Sequence, residues 1–197
     1  MTRLGLLGGT FDPPHYGHLV AAHEAAWQLD LERVLFLPAR QNPLKRAEPV
    51  SDAEIRCQMV QLAIADNPLF ELSRVELDRP PPSFTVDMLR GLAAPGCELF
   101  FLIGADIIPE LPRWHAPLEI LSLARLVVVT RAGSAPPDVV QLERTLRGAA
   151  SRVTVLSIPG VDVSSTLLRS RVREGKPIRY LTPDTVVHFI ANHGLYR

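Results

Sequence analysis

Five short apolar runs, at residues 4–7, 34–37, 98–103, 126–129 and 153–158, constrain the fold most, because they are dense in Val, Leu, Ile and Phe and do not alternate with polar residues. A strand with one wet face alternates. A continuous apolar run is a strand buried on both faces, as parallel strands are when helices cover the sheet above and below. Residues 70–77 are a weaker sixth run. Helical spacing fills the gaps: Leu19, Ala22, Ala26 and Leu29 recur after Gly17, and Ser51 with Glu54 reads as a capping box ahead of Ile55, Met59, Leu62 and Ala63. Ser83 or Thr85 is placed to cap a run of Val86, Leu89 and Leu92, while Thr182 and Pro183 open a last helix that Gly194 stops. The expected fold is α/β: a doubly wound, Rossmann-like parallel sheet with helices on both faces, in one domain over residues 1–197.

Composition narrows the partners. Twenty-one basic residues balance 21 acidic ones, so no overall field draws the chain to nucleic acid or an anionic membrane. Any bound anion is then held by local geometry. The 47% hydrophobic content excludes a disordered chain. Cys57 and Cys97 lie in apolar segments and are expected as buried thiols in a reducing cytosol, a disulfide being the alternative. The opening apolar run is too short and Gly-rich for a signal peptide, and no stretch reaches the ~20 apolar residues of a membrane helix. The expected location is the cytoplasm.

In a doubly wound sheet ligands bind at the carboxyl ends of the strands, so the residues after each run are those to read for chemistry. The first run passes into Gly8-Gly9-Thr10-Phe11-Asp12-Pro13-Pro14-His15-Tyr16-Gly17-His18 and then a helix. The glycine pair permits close backbone approach and positive φ. The helix start turns free N–H groups and a positive dipole end toward the loop. His15 and His18 share one pocket if the helix begins between them, where imidazoles donate to phosphate oxygens. Read singly, His15 is equally a surface residue and His18 a helix cap. A zinc pair would need a third ligand at a suitable offset, which this segment lacks. Nor does residues 5–9 supply the G-x-G-x-x-G spacing of a dinucleotide-binding turn.

Two later segments carry similar signals. Gly104-Ala105-Asp106 follows the third run, placing a carboxylate either on a ribose hydroxyl or at a helix N-cap. Arg113-Trp114 lies between Pro112 and Pro117, where the indole either stacks on a flat ring or covers the core. After the last run, Val163-Ser164-Ser165-Thr166-Leu167-Leu168-Arg169 sets hydroxyls in a helix first turn with Arg169 one turn on. That is a second anion site, or a plain serine cap with a solvated arginine. Two such sites suit a polyphosphate.

His15-Tyr16-Gly17-His18 resembles the signature of the His-x-Gly-His nucleotidyltransferase superfamily, and residues 163–169 resemble its triphosphate segment. The block 8–19, Pro82-Ser83-Phe84-Thr85-Val86-Asp87, Ile103-Gly104-Ala105-Asp106, Leu111-Pro112-Arg113-Trp114, Tyr180-Leu181-Thr182-Pro183 and Gly194-Leu195-Tyr196 are together similar to the bacterial nicotinate-mononucleotide adenylyltransferases. The motifs occur in that family's order over the whole chain. One departure is Pro43-Leu44-Lys45, where members often carry Pro-His-Lys.

The resemblance implies an enzyme that transfers AMP from ATP to nicotinate mononucleotide, giving deamido-NAD and pyrophosphate, with Mg²⁺ accompanying ATP. It implies catalytic roles for His15, His18 and Arg169. Gly8, Gly9, Thr10, Phe11, Lys45, Gly104, Asp106, Ser165 and Thr166 would bind ATP, and Ser83, Phe84, Thr85, Arg113 and Trp114 the mononucleotide. In-line displacement at phosphorus requires no protein nucleophile. No nucleic-acid or membrane partner is expected, and a homo-oligomer stays open. A sister enzyme preferring nicotinamide mononucleotide is the nearest rival. Phosphopantetheine adenylyltransferase fits less well, since this chain is longer and has the 83–87 and 112–114 segments. A dinucleotide-binding redox or sensor module would carry an acidic residue at the next strand's end, where this chain has Pro38-Ala39-Arg40.

Overall fold

The computed structural model describes residues 1–40, 50–80, 84–131, 133 and 135–197. Lys45 and Ser83, with Leu44, lie outside the described residues. The strands are β1 (Thr2–Gly9), β2 (Arg33–Pro38), β3 (Phe70–Leu72), β4 (Cys97–Gly104), β5 (Ala124–Arg131) and β6 (Val153–Ile158). The helices are α1 (Tyr16–Gln28), α2 (Ala53–Ile64), α3 (Thr85–Leu92), α4 (Pro117–Leu123), α5 (Val139–Thr145), α6 (Ser165–Arg173) and α7 (Asp184–Asn192). All six strands join one parallel sheet in the order β3-β2-β1-β4-β5-β6.

The apolar runs do not alternate because both faces of the sheet are covered. In β4, Phe100 and Leu102 enter one core with Ala22 and Ala25 of α1, Met59 and Val60 of α2, and Val186 and Ile190 of α7. Leu99, Phe101 and Ile103 enter the other with Val86 and Leu89 of α3, Ile120 of α4 and Leu142 of α5. Each fully buried Leu or Phe stabilises the fold by roughly 1.5–3 kcal/mol. Strand order reverses between β1 and β4, which pair directly with Leu6 opposite Phe101. A crevice opens at such a reversal, beyond the carboxyl ends of the two strands.

Local details depart from the expected ones. The weak run 70–77 pairs only over Phe70–Leu72, because the chain then turns, with Leu77 N–H donating to Arg74 O. Asp52, not Ser51, caps α2, its carboxylate accepting from Glu54 N at 2.8 Å. Phe84 occupies the N-cap of α3, with no side-chain cap among the described residues. Pro183 is the N-cap of α7, because the fully buried Thr182 instead donates its hydroxyl to Pro14 O at 2.8 Å. Cys57 is a buried free thiol and Cys97 a half-buried one. Among the described residues no helix is long and apolar enough to cross a membrane.

Candidate active site

A cleft of about 820 Å³ lies at the strand-order reversal, lined by residues from the ends of β1, β4 and β5 and from the loops before α3 and α4. That volume is in the range of sites for sizeable small molecules, roughly 300–1,000 Å³. Gly8, Gly9, Thr10, His15 and His18 form one end. The glycine pair does not take up positive φ. Phe11 does instead, at φ 52°. Gly9 is required for a different reason: a Cβ there would stand 3.0 Å from the Phe11 ring. Phe11 itself is 1% exposed and does not line the cleft, so its side chain is a buttress under the loop. Its ring meets His18 edge-on at 4.9 Å and packs on Phe36 at 5.7 Å.

Helix α1 begins between the two histidines, as their spacing requires for a shared pocket. His15 holds the N-cap in extended backbone (φ −150°, ψ 169°), and its N–H donates to His18 Nδ1 at 3.2 Å. A neutral imidazole that accepts at Nδ1 carries its proton on Nε2, so His18 keeps one N–H to donate. The rings stack with centroids 3.7 Å apart. Gly17 makes the stack possible, since a Cβ would sit 3.0 Å from His15 Cε1 and Nδ1. The motif therefore has a steric logic: two imidazoles, and a missing side chain that leaves room for the first.

Both rings are neutral near pH 7. Burial, then the positive charge of Arg131, lowers His15 to about 4, and burial, then His15, holds His18 well below the usual imidazole value. A histidine whose folded value lies under its unfolded one contributes stability above pH 6.5 that is lost as pH falls through the folded value. For His15 the span from 6.5 to about 4 is worth about 3 kcal/mol. We expect His15→Gln to flatten the fall in unfolding free energy between pH 6.5 and 4 by up to that amount, read by urea denaturation across the range. Equal slopes for both proteins would contradict the buried neutral imidazole.

On the strand next to β1, Gly104 ends β4, and Ala105–Ile107 form a 3-10 turn whose N-cap is Gly104, so Asp106 is not the cap. A Cβ at Gly104 would collide with the Asp106 carboxylate, which is exposed and lines the cleft. The third wall holds Phe84 and Thr85 at the start of α3, with Arg113 and Trp114 ahead of α4. Phe84 stacks on His115 at 4.4 Å. Trp114 is half-buried, edge-on to Phe101 at 6.2 Å, so it both covers the second core and faces the cleft.

The 163–169 segment contributes less directly than its composition suggests. Ser164 caps α6, accepting from Leu167 N at 3.1 Å, and it lines the cleft together with Val163. Ser165, Thr166 and Arg169 do not line it. Ser165 Oγ donates to Pro13 O at 2.8 Å, while Arg169 Nη1 donates to Asp12 O at 2.8 Å and Nη2 to Thr166 Oγ1 at 3.3 Å. Two of these side chains thus hold the first loop from behind.

Four polar residues of the cleft lining are not singled out by the sequence: Glu76, His115, Thr130 and Arg131. Arg131, paired with Asp162 at 3.0 Å, supplies a cation at the histidine end. It follows the fourth apolar run and was findable by the same after-the-strand rule. Glu76, in the turn beyond β3, had no sequence signal.

A family model described as cytidylyltransferase-like matches residues 6–171. A protein of Roseiflexus sp. (strain RS-1) named "Probable nicotinate-nucleotide adenylyltransferase" is 49% identical over 195 residues, 98% of each chain. The chain belongs to this family. An Acidothermus cellulolyticus relative of the same name is 44% identical, covering 99% of this chain and 94% of its own. Among solved structures, the Plasmodium falciparum nicotinic acid mononucleotide adenylyltransferase complexed with NaAD superposes with a TM-score of 0.79 at 15% identity, over 100% of this chain and 98% of that one. At that identity the likeness is one of fold. It bears out the doubly wound sheet.

Proposed function

We propose that this chain transfers the adenylyl group of ATP to the 5′-phosphate of nicotinate mononucleotide, forming deamido-NAD and releasing pyrophosphate. The observation that carries the reading is the stacked, neutral His15–His18 pair at the N-terminus of α1, lining a cleft of about 820 Å³. A phosphate oxygen of the mononucleotide attacks the α-phosphorus. The new P–O bond forms as the bond to the bridging oxygen breaks, and pyrophosphate leaves with the electron pair. Charge builds on the α-phosphate oxygens, where the His18 Nε2–H and the His15 ring donate. Gly8, Gly9 and Thr10 let the backbone approach the phosphates, Gly104 and Asp106 receive the adenosine, and Arg131 adds positive charge. Arg169 and Ser165 act through the loop they brace, Thr166 by accepting from Arg169, and Arg169 also by its charge. Imidazole, guanidinium and amide donors suit phosphate, and Mg²⁺ would accompany ATP as part of that substrate.

The choice of nicotinate over nicotinamide rests on α3. Among the described residues its first-turn N–H groups have no side-chain cap, and Phe84 and Thr85 line the cleft. A carboxylate is favoured there by the dipole and an amide is not. The test is pyrophosphate release with ATP and each mononucleotide in parallel. Release with nicotinate mononucleotide at tenfold or greater kcat/KM is expected, about 1.4 kcal/mol of preference. Release with nicotinamide mononucleotide alone would overturn the substrate assignment. We also expect Trp114→Ala to raise KM for the mononucleotide by about tenfold, the scale of one lost ring contact, with KM for ATP nearly unchanged. Equal changes in both would make Trp114 a core residue only.

A further inference from the structure

Behind the histidine loop lies a polar network of which the chemistry above uses only Ser165, Thr166 and Arg169. Four loop carbonyls accept side-chain donors from distant elements: Thr10 O from Arg56, Asp12 O from Arg169, Pro13 O from Ser165 and Pro14 O from Thr182, each at 2.8 Å. The Asp12 side chain, 2% exposed, joins the same scaffold. Its Oδ2 accepts from Ser51 N at 3.1 Å, and its Oδ1 accepts from the Tyr196 hydroxyl at 2.6 Å. The two partners in the last bond are 184 residues apart. After α7 the chain turns through Gly194 (φ 61°) and Tyr196 (φ 63°). A left-handed tyrosine is disfavoured by about 1–2 kcal/mol, so the surroundings must hold it there. That turn packs the Tyr196 ring on the first core and brings its hydroxyl within 3.8 Å of Met59 Sδ. Burial and then the Asp12 bond keep the hydroxyl protonated, well above the ordinary tyrosine range.

We propose that Tyr196 is a positioning residue for adenylyl transfer: its hydroxyl, donated to the buried Asp12 carboxylate, holds loop 10–15 in the register that aims His15 and His18 at the reacting phosphate. Asp12 stands three residues before His15. A loop released on that side shifts the N-cap of α1 and both rings with it, while the cleft walls at β4, α3 and α4 stay where they are. The loss therefore falls on the transition state more than on either substrate. This inference rests on the proposed reaction.

The test compares Tyr196→Phe with the unmodified chain by pyrophosphate release at saturating ATP and nicotinate mononucleotide. Tyr196→Phe should lower kcat by about 10- to 100-fold, the scale of a small misplacement of catalytic groups, with each KM within about threefold. If Tyr196 acts through the histidines, its loss adds less than about twofold in a His18→Ala background, since groups acting as a unit are not additive. Ile190→Val, a buried truncation in α7, controls for stability and keeps the unmodified kcat below its melting temperature. An unmodified kcat in Tyr196→Phe, or a loss that multiplies fully with His18→Ala, overturns the inference while the reaction stands. Absence of turnover in the unmodified chain overturns the functional reading and this inference together.

Discussion

Replacing His18 by alanine lowers kcat about 100-fold or more at saturating substrates, the scale of one transition-state donor lost from a site without a nucleophile. The expectation follows from three constraints. The His15 N–H occupies Nδ1 at 3.2 Å and so leaves the Nε2 proton as the donor; the Phe11 edge at 4.9 Å and the His15 face at 3.7 Å leave the ring little freedom to adopt another pose. Alanine removes the donor and half of the stack. KM for ATP should change far less than kcat, because the phosphates keep their backbone contacts, Arg131 and the dipole of α1. Steady-state pyrophosphate release checks the split. A variant with near-normal turnover would mean that the imidazole pair serves packing alone.

Arg56→Met should destabilise the fold by about 3–5 kcal/mol, a fall in Tm of roughly 10 °C for a chain of this size. Arg56 is 1% exposed. Its Nη1 donates to Thr10 O at 2.8 Å and its Nε to Ser51 O at 3.0 Å. Burial lowers its pKa and the Asp12 charge opposes that effect, which is the signature of a cation kept inside by its partners. Methionine matches the stem but leaves the two carbonyls without this donor and the Asp12 carboxylate without its neighbouring positive charge. Urea denaturation at pH 7 measures the loss. A change under about 1 kcal/mol would show that water or a neighbour satisfies these groups as well as arginine does.

The sheet was legible in the sequence because double-sided burial writes a pattern that few other structures produce: continuous apolar runs separated by helical spacing. The His-x-Gly-His unit was legible because each residue of it is dictated by a short-range constraint, including the room that Gly17 leaves for His15. What long-range contacts decide was not legible. Nothing near Thr182 signals that its hydroxyl is taken by Pro14, so the cap of α7 moves one residue. Ser165 and Arg169 look like phosphate ligands in sequence, yet their donors reach the back of a loop 152 and 157 residues away. Arg56 was hidden by abundance, being one of 19 arginines, although its place on the stripe with Val60 and Ala63 marks a charge on a buried helix face. Phe11 looks like a ligand contact in sequence because it sits inside a ligand-binding motif; its apolar ring is worth more under His18 than in a polar cleft.

The most direct test of the account is a crystal structure with a non-hydrolysable ATP analogue and nicotinate mononucleotide bound together. The His18 Nε2 and the His15 ring should lie within about 3 Å of α-phosphate oxygens, with the pyridine ring between Phe84 and Trp114. Imidazoles turned away from the phosphates, with the α-phosphate held by other groups, would contradict it.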